Sequence, residues 1–150
     1  MAVAISAGQL QEVLARAAFA RVYGFRLHSF GVGECVIEVP FNPDLERPGG
    51  IVAGTAYMTA ADVVFWLAIV TRLGVEAEAS VTVNMSTAFL SSARQEPFLA
   101  SGRVLREGRN LVYGTAECMT RDGRLLTHHT LTYTRHSLPP PPPSGEEAVA

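Results

Sequence analysis

Between Arg47 and Arg72 the chain carries a single charge, Asp62. The stretch from Gly49 to Trp66, GGIVAGTAYMTAADVVFW, opens with a glycine pair, passes Gly54 and then runs almost wholly apolar. Residues 54–73 read as one long helix, closed by Gly74 and apolar nearly all round. Such a helix has to be covered over most of its circumference. A chain of 150 residues is long enough for one domain with a real core, so the remaining sequence must supply the cover. A membrane span is not expected, because Asp62 and several threonines break the apolar run.

The flanking sequence has the patterns to supply it. Ser6-Ala-Gly-Gln9 has the spacing of a capping box, and Leu10, Val13, Leu14 and Ala17 follow at helical period. This predicts a helix over 7–22, stopped at Gly24. Residues 25–32 and 34–39 read as strands about Gly33; in the second, Cys35, Ile37 and Val39 alternate with Glu34, Val36 and Glu38. Prolines at 40, 43 and 48 with Gly49-Gly50 make 40–50 a loop. Strands are expected at 80–90, 98–105, 111–120 and 124–135, with turns at REGRN (106–110) and RDG (121–123). The order implies an α+β fold, one antiparallel sheet packed on a central helix. A single domain is expected over 1–136, and the proline-rich stretch 137–150 reads as a disordered tail.

Charge and composition narrow the function classes. A net charge of −2 with no basic run argues against nucleic acid or an anionic membrane as partner. The N-terminus lacks the charged start and apolar core of a secretory signal, which reads as cytoplasmic. Cys35 and Cys118 have no metal spacing and are expected to be buried free thiols. His128 and His129 are neighbours in a strand, so they point to opposite faces and cannot chelate one metal together. No metal or cofactor is expected, and no phosphate loop or Ser-His-Asp arrangement is visible.

The lone carboxylate then needs an account. On the predicted helix, Thr55, Thr59, Asp62 and Trp66 share one stripe, since their spacings are four, three and four. A buried carboxylate is costly unless it is paired. One reading is a structural acid bonded to Thr59 or to a neighbouring strand; the other is a reactive group, since perturbed carboxylates cluster at functional sites. The helix start favours the second. Gly49, Gly50 and Gly54 let a ligand approach the backbone, and the first free N–H groups of a helix can hold a developing oxyanion. Gly54 and Asp62 are eight residues apart, about 12 Å along a helix. One helix cannot easily bring both to one carbonyl, whereas two antiparallel helices from two subunits can.

Two further segments carry a resemblance. These are SVTVNMSTAFLSSA (80–93), the strand after the helix, and RVLREGRNLVYGTAECMTRDGRLLTHHTLTY (103–133), the closing hairpins. With the glycine-led central helix and its acid, they make the chain similar to the hotdog-fold acyl-CoA thioesterases over about residues 8–135. The likeness is to their phenylacetate-pathway, PaaI-like branch. That resemblance implies a hotdog fold, an antiparallel β-sheet wrapped around a long central α-helix. It places the family's His-Gly-Gly triplet at Ala53-Gly54-Thr55, with the acid nine residues after the first position. Gly50 matches the loop glycine before the triplet. The triplet histidine is replaced by Ala53, the second glycine by Thr55, and the asparagine six residues earlier by Arg47.

The resemblance implies an acyl-CoA thioesterase acting on a medium-chain or aromatic acyl group. Gly54 would polarise the thioester carbonyl. Asp62 of the partner subunit would act as general base on water or as nucleophile, and Thr82 would bond the carboxylate or place the water. The implied assembly is a homodimer, with two dimers forming a homotetramer. CoA enters as part of the substrate. Its phosphates call for cations, for which Arg94, Arg106 and Arg109 are candidates. Arg47, Thr55 and Thr59 stand near the implied site, and Tyr57, Met58, Phe65 and Trp66 are candidates for lining the acyl pocket or for plain core. The missing histidine keeps open a second class, a non-catalytic hotdog module that binds an acyl or aromatic ligand or serves only as a structural oligomer. A hotdog hydratase is disfavoured, because no Asp-His pair stands at the usual spacing.

Overall fold

Helix α2, Gly54–Leu73, has the bounds that the apolar pattern predicts. Ala60, Ala61, Val64, Phe65, Leu67, Ala68, Ile69 and Val70 on it are fully enclosed. The computed structural model describes residues 1–136 and Pro143, so the expected tail at 137–150 lies, apart from that proline, outside the described residues. Although α2 is long and apolar enough to cross a membrane, 67% of its most apolar window is buried inside the protein. The cover is a six-stranded antiparallel sheet. Its strands are β1 (Arg26–Gly31), β2 (Glu34–Val39), β5 (Thr82–Phe89), β6 (Phe98–Glu107), β7 (Leu111–Thr120) and β8 (Leu125–Thr134). They lie in the order β1-β2-β6-β7-β8-β5. A two-stranded ribbon, β3 (Glu46–Arg47) and β4 (Ile51–Val52), leads into the helix. This is the hotdog arrangement, a sheet wrapped around a central helix.

Alternation puts one face of each central strand on α2. In β2, Cys35, Ile37 and Val39 are buried while Glu34, Val36 and Glu38 face outward. In β8, Thr127, His129, Leu131 and Tyr133 point inward. His128 points the other way, to Glu117. Cys35 and Cys118 are buried free thiols, and burial pushes each up to about 12.

The N-terminal helix is shorter than its pattern suggests. The capping box at Ser6 is present, but α1 spans only Ala7–Arg16. Ala17 leaves helical geometry, and a 3-10 helix follows over Ala18–Tyr23. The buried positions Leu10, Val13, Ala17 and Ala20 explain the change. Their last step is three residues, the period of a 3-10 helix. The loop at 40–50 likewise contains a 3-10 turn at Pro43–Leu45 and the short strand β3.

The sheet approaches α2 most closely at two glycines. A Cβ at Gly102 would lie 2.9 Å from the Val64 carbonyl oxygen and 3.0 Å from the Phe65 nitrogen. One at Gly114 would overlap both the Arg103 carbonyl oxygen and the Phe65 ring. Phe65 therefore fits over strands that have no side chain at these points, and its ring then meets Tyr133 edge-on, with centroids 5.4 Å apart. Gly114→Ala should destabilise the protein by about 3 kcal/mol or more, because a backbone oxygen cannot move aside as a side chain can. Chemical denaturation read by circular dichroism measures the loss.

His129 is wholly buried between two threonines. Its Nδ1 is 2.8 Å from Thr87 Oγ1 and its Nε2 is 2.7 Å from Thr127 Oγ1. A neutral imidazole suits this, donating from one nitrogen and accepting at the other. Burial, followed by the charge of His128, pushes His129 down from 6.5 to about 4. Between those values the unfolded chain binds a proton that the folded chain refuses. Stability should therefore be complete above pH 6.5 and fall as pH drops toward 4, by up to about 3 kcal/mol from this residue. Thermal melts of His129→Gln between pH 5 and 6.5, above most carboxylate titrations, should show a flatter pH dependence than wild type.

Candidate active site

The sheet leaves one face of α2 open, and it is the stripe seen in the sequence. Thr55 and Met58 are exposed; Thr59, Asp62 and Trp66 are half-buried. The polar groups on this face are individually held. Thr59 Oγ1 donates to the Thr55 carbonyl at 3.0 Å and lies 3.3 Å from the Tyr23 hydroxyl. Trp66 Nε1 donates to the Glu78 carbonyl at 3.0 Å.

Asp62 is bonded by two strands, not by Thr59. Thr82 Oγ1 donates to its Oδ1 at 2.7 Å, and the Tyr133 hydroxyl donates to the same oxygen at 2.6 Å. Tyr133 also lies 3.0 Å from the main-chain oxygen of Asp62. Thr82 and Tyr133 are directly opposite each other on β5 and β8, so one rung of the sheet supplies both donors. Oδ2 has no hydrogen-bond partner among the described residues. Burial, with the Asp62 carboxylate next, raises the Tyr133 phenol well above its ordinary value and keeps it a protonated donor. The group opens into a cavity of about 280 Å³ whose walls include Phe19, Val63, Trp66, Val81 and Tyr133. Glu78 also lines it, but the Arg16 guanidinium grips that carboxylate at 2.7 and 2.8 Å and holds it below its ordinary value.

The start of α2 opens elsewhere. Gly54 faces a second cavity, of about 300 Å³, together with Arg47, Val52, Tyr57, Phe89 and Ser92. The two cavities have no lining residue in common. Ala53 is the N-cap, in extended geometry, and gives no side-chain cap. The first N–H groups of the helix therefore lack the partner a polar cap would give them. Phe89 packs across this end; a Cβ at Gly54 would stand 3.0 Å from its Cε1.

The remaining candidates are distributed unevenly. Tyr57 is buried and its hydroxyl accepts the Ala93 N–H at 2.9 Å; burial raises its phenol. Phe65 lies in the core, 0% exposed, where Gly114 and Tyr133 enclose it, so its ring reaches no ligand in this chain. Arg94 Nη1 donates to the Gly49 carbonyl at 2.9 Å, bracing the loop into α2. Arg106 and Arg109 line a third cavity, at the β6–β7 hairpin, with Tyr113 and Thr132. The lining of that cavity includes neither Asp62 nor Gly54. Arg47, Arg106 and Arg109 make no ion pair among the described residues. No group of three or more His, Cys, Asp or Glu among them is placed to hold a metal.

Sequence reasoning missed Tyr133 and Phe19. Strand alternation does put Tyr133 in phase with His129 and Leu131, hence inward. Its meeting with Asp62 beside Thr82 depends on how β8 pairs with β5 and packs on α2, which no local pattern encodes.

The family model described as thioesterase superfamily matches residues 49–127, from the glycine pair through the Asp62 helix into β8. The chain belongs to the thioesterase superfamily. A Thermoplasma acidophilum protein named as a candidate esterase is 28% identical over 124 residues, covering 83% of this chain and 92% of that protein. A Saccharolobus solfataricus protein, also named as a candidate esterase, is 32% identical over 93 residues. That match spans 62% of this chain and 65% of the relative, so the chain aligns with just under two thirds of it. The Escherichia coli PaaI protein, from the phenylacetic acid degradation operon, shares the fold with a TM-score of 0.73 at 14% identity, over 87% of this chain and 92% of that one. Membership of the thioesterase superfamily supports a thioester hydrolase-like function.

The uncapped helix makes a direct prediction. Ala53 already has N-cap geometry, so Ala53→Ser should bond a free N–H and stabilise this thioesterase-superfamily chain by about 1 kcal/mol. An upward shift of the urea midpoint with an unchanged slope would show it.

Proposed function

We propose that this chain is an acyl-CoA thioesterase that hydrolyses a medium-chain or aromatic acyl-CoA to free acid and CoA at a site shared by two subunits. One observation carries the reading. Asp62 has one oxygen tied down and one free, at the wall of a largely apolar cavity. That arrangement suits a group that must act on one atom while the acyl chain lies beside it.

The chemistry has two balanced routes. As general base, Asp62 Oδ2 takes a proton from water while the water oxygen attacks the thioester carbon. As nucleophile, Oδ2 attacks that carbon itself, giving a mixed anhydride that water then hydrolyses. Either way the carbonyl oxygen gains negative charge and CoA leaves as its thiolate. The partner subunit's Gly54 N–H, at an uncapped helix start, would donate to that oxygen. The separate cavities of Gly54 and Asp62 within one chain support a second subunit. Exposed Met58, Val83, Phe89 and Leu90, on the open helix face and on edge strand β5 with the turn after it, are apolar surface that such a subunit would cover. The dimer would pair into a homotetramer, working in the cytoplasm. Arg106 and Arg109 remain candidates for the CoA phosphates, as guanidinium groups without an ion-pair partner among the described residues.

Ala53, at the position where the resemblance places a histidine, favours one second reading: a hotdog module that binds acyl ligands without turning them over. Release of free thiol from a panel of acyl-CoA thioesters separates the two. Wild type should release thiol from at least one member, and Asp62→Asn should lose at least about a hundredfold in turnover while its oligomeric state and melting temperature persist. Ligand binding without thiol release across the whole panel would favour the module. In the hydrolase, Ala53→Ser should lower turnover as it raises stability, because the added hydroxyl occupies the donors meant for the substrate oxygen.

A further inference from the structure

Two donors on a single carboxylate oxygen are a specific arrangement. A carboxylate turns about its last bond through a broad, two-fold torsion, so its oxygens are ordinarily interchangeable. Here Thr82 and Tyr133 both address Oδ1 of Asp62. They come from two strands, so they reach the oxygen from different elements.

The two donors differ in how firmly they are held. Thr82 is exposed in the protomer and lies on edge strand β5. Tyr133 is 3% exposed, on a strand flanked on both sides. Its ring abuts Phe65 at 5.4 Å and an interplanar angle of 66°. Phe65 in turn sits over Gly114, where there is no side chain to displace it. A chain of rigid contacts therefore runs from the backbone of β7, through Phe65 and Tyr133, to Oδ1. The 3.0 Å approach of the Tyr133 hydroxyl to the main-chain oxygen of Asp62 places it over the residue's own backbone as well.

We propose that Tyr133 is the positioning residue of the site: with Thr82 it fixes Oδ1 of Asp62 and so leaves Oδ2 as the one oxygen that acts. The proposal rests on the hydrolase reading for its kinetic consequence. It gives the base and nucleophile routes the same acting atom. It also gives Phe65 a place in function, as the support of Tyr133, although its ring touches no ligand. The Tyr133 hydroxyl meets only Asp62, while its ring lines the cavity, so removing the hydroxyl alone should alter the geometry of reaction and leave the cavity wall in place.

Tyr133→Phe tests this. It deletes one hydroxyl and keeps the ring contact with Phe65, so the fold should persist, and a thermal melt checks that. The most readily cleaved acyl-CoA of the panel is the probe. We expect kcat to fall about tenfold to a hundredfold with KM nearly unchanged, the scale of misplacing a reacting group by about an ångström. Thr82→Val should lower kcat in the same way, and Thr82→Ser, which keeps the donor, should restore it. Crystal structures of wild type and Tyr133→Phe should show the Asp62 carboxylate turned or split between orientations in the variant. Wild-type kcat in Tyr133→Phe, or a fall in kcat with the carboxylate unmoved, overturns the proposal. If wild type cleaves no thioester, the hydrolase reading fails, and the crystal comparison alone decides the positioning role: a turned carboxylate supports it and an unmoved one rejects it.

Discussion

Burial of α2 is the constraint from which the rest of the structure follows. A helix of twenty residues with one internal carboxylate and a basic residue only in its last turn cannot remain exposed to water. The six strands answer it by wrapping around it, and along β2, β7 and β8 the buried residues alternate to meet it. The fit is closest at Gly102 and Gly114, where β6 and β7 offer bare backbone to Val64 and Phe65. Any side chain there would push the sheet off the helix and open the packed interior. The sheet reaches only part of the way round. The open stripe of Thr55, Met58, Thr59, Asp62 and Trp66 is where polar groups can stand without being enclosed.

That division explains why one helix can be both core and candidate site. Seen from the sheet, α2 is a row of alanines, valines, leucine and isoleucine in close contact. On the other side it holds an acid whose charge is met by hydroxyls from β5 and β8. Neutral donors are apt for this purpose. An arginine at the same distance would bind the carboxylate as an ion pair and hold both oxygens. Two hydroxyls on one oxygen satisfy the charge in part and leave the other oxygen without a partner among the described residues. The nearest contrast is Glu78, in the same cavity wall, which Arg16 grips through both oxygens.

What could be read in the sequence was what depends on local pattern. The bounds of α2, the alternation in β2, the capping box at Ser6 and the opposite pointing of His128 and His129 all follow from spacing along the chain. The carboxylate and its Thr82 partner were legible too, Asp62 as the lone charge and Thr82 by family likeness. What was not legible depends on register and packing. Tyr133 and Thr82 meet Asp62 together only because β8 pairs with β5 in one particular offset. Phe65 shares an apolar helix with residues that line cavities, and only the bare glycines opposite show that it belongs to the interior. The end of α1 was overrun because a 3-10 turn continues the burial of a helix at a slightly different period.

The two ends of the proposed chemistry place opposing demands on the same helix. An oxyanion donor is most useful when no side chain competes for it, so the start of α2 must stay uncapped, and Ala53 leaves it so. An acid works best when fixed, and Asp62 is fixed by groups two turns further along. These needs cannot meet in one copy, because about 12 Å of rigid helix separates the positions. A bend would join them only by breaking the burial on which the fold depends. Antiparallel pairing of two copies avoids the conflict, since each start then lies beside the other's middle without any helix deforming. On the proposed chemistry a second subunit answers the stiffness of α2, and the exposed apolar residues along β5 are surface that such a pairing would cover.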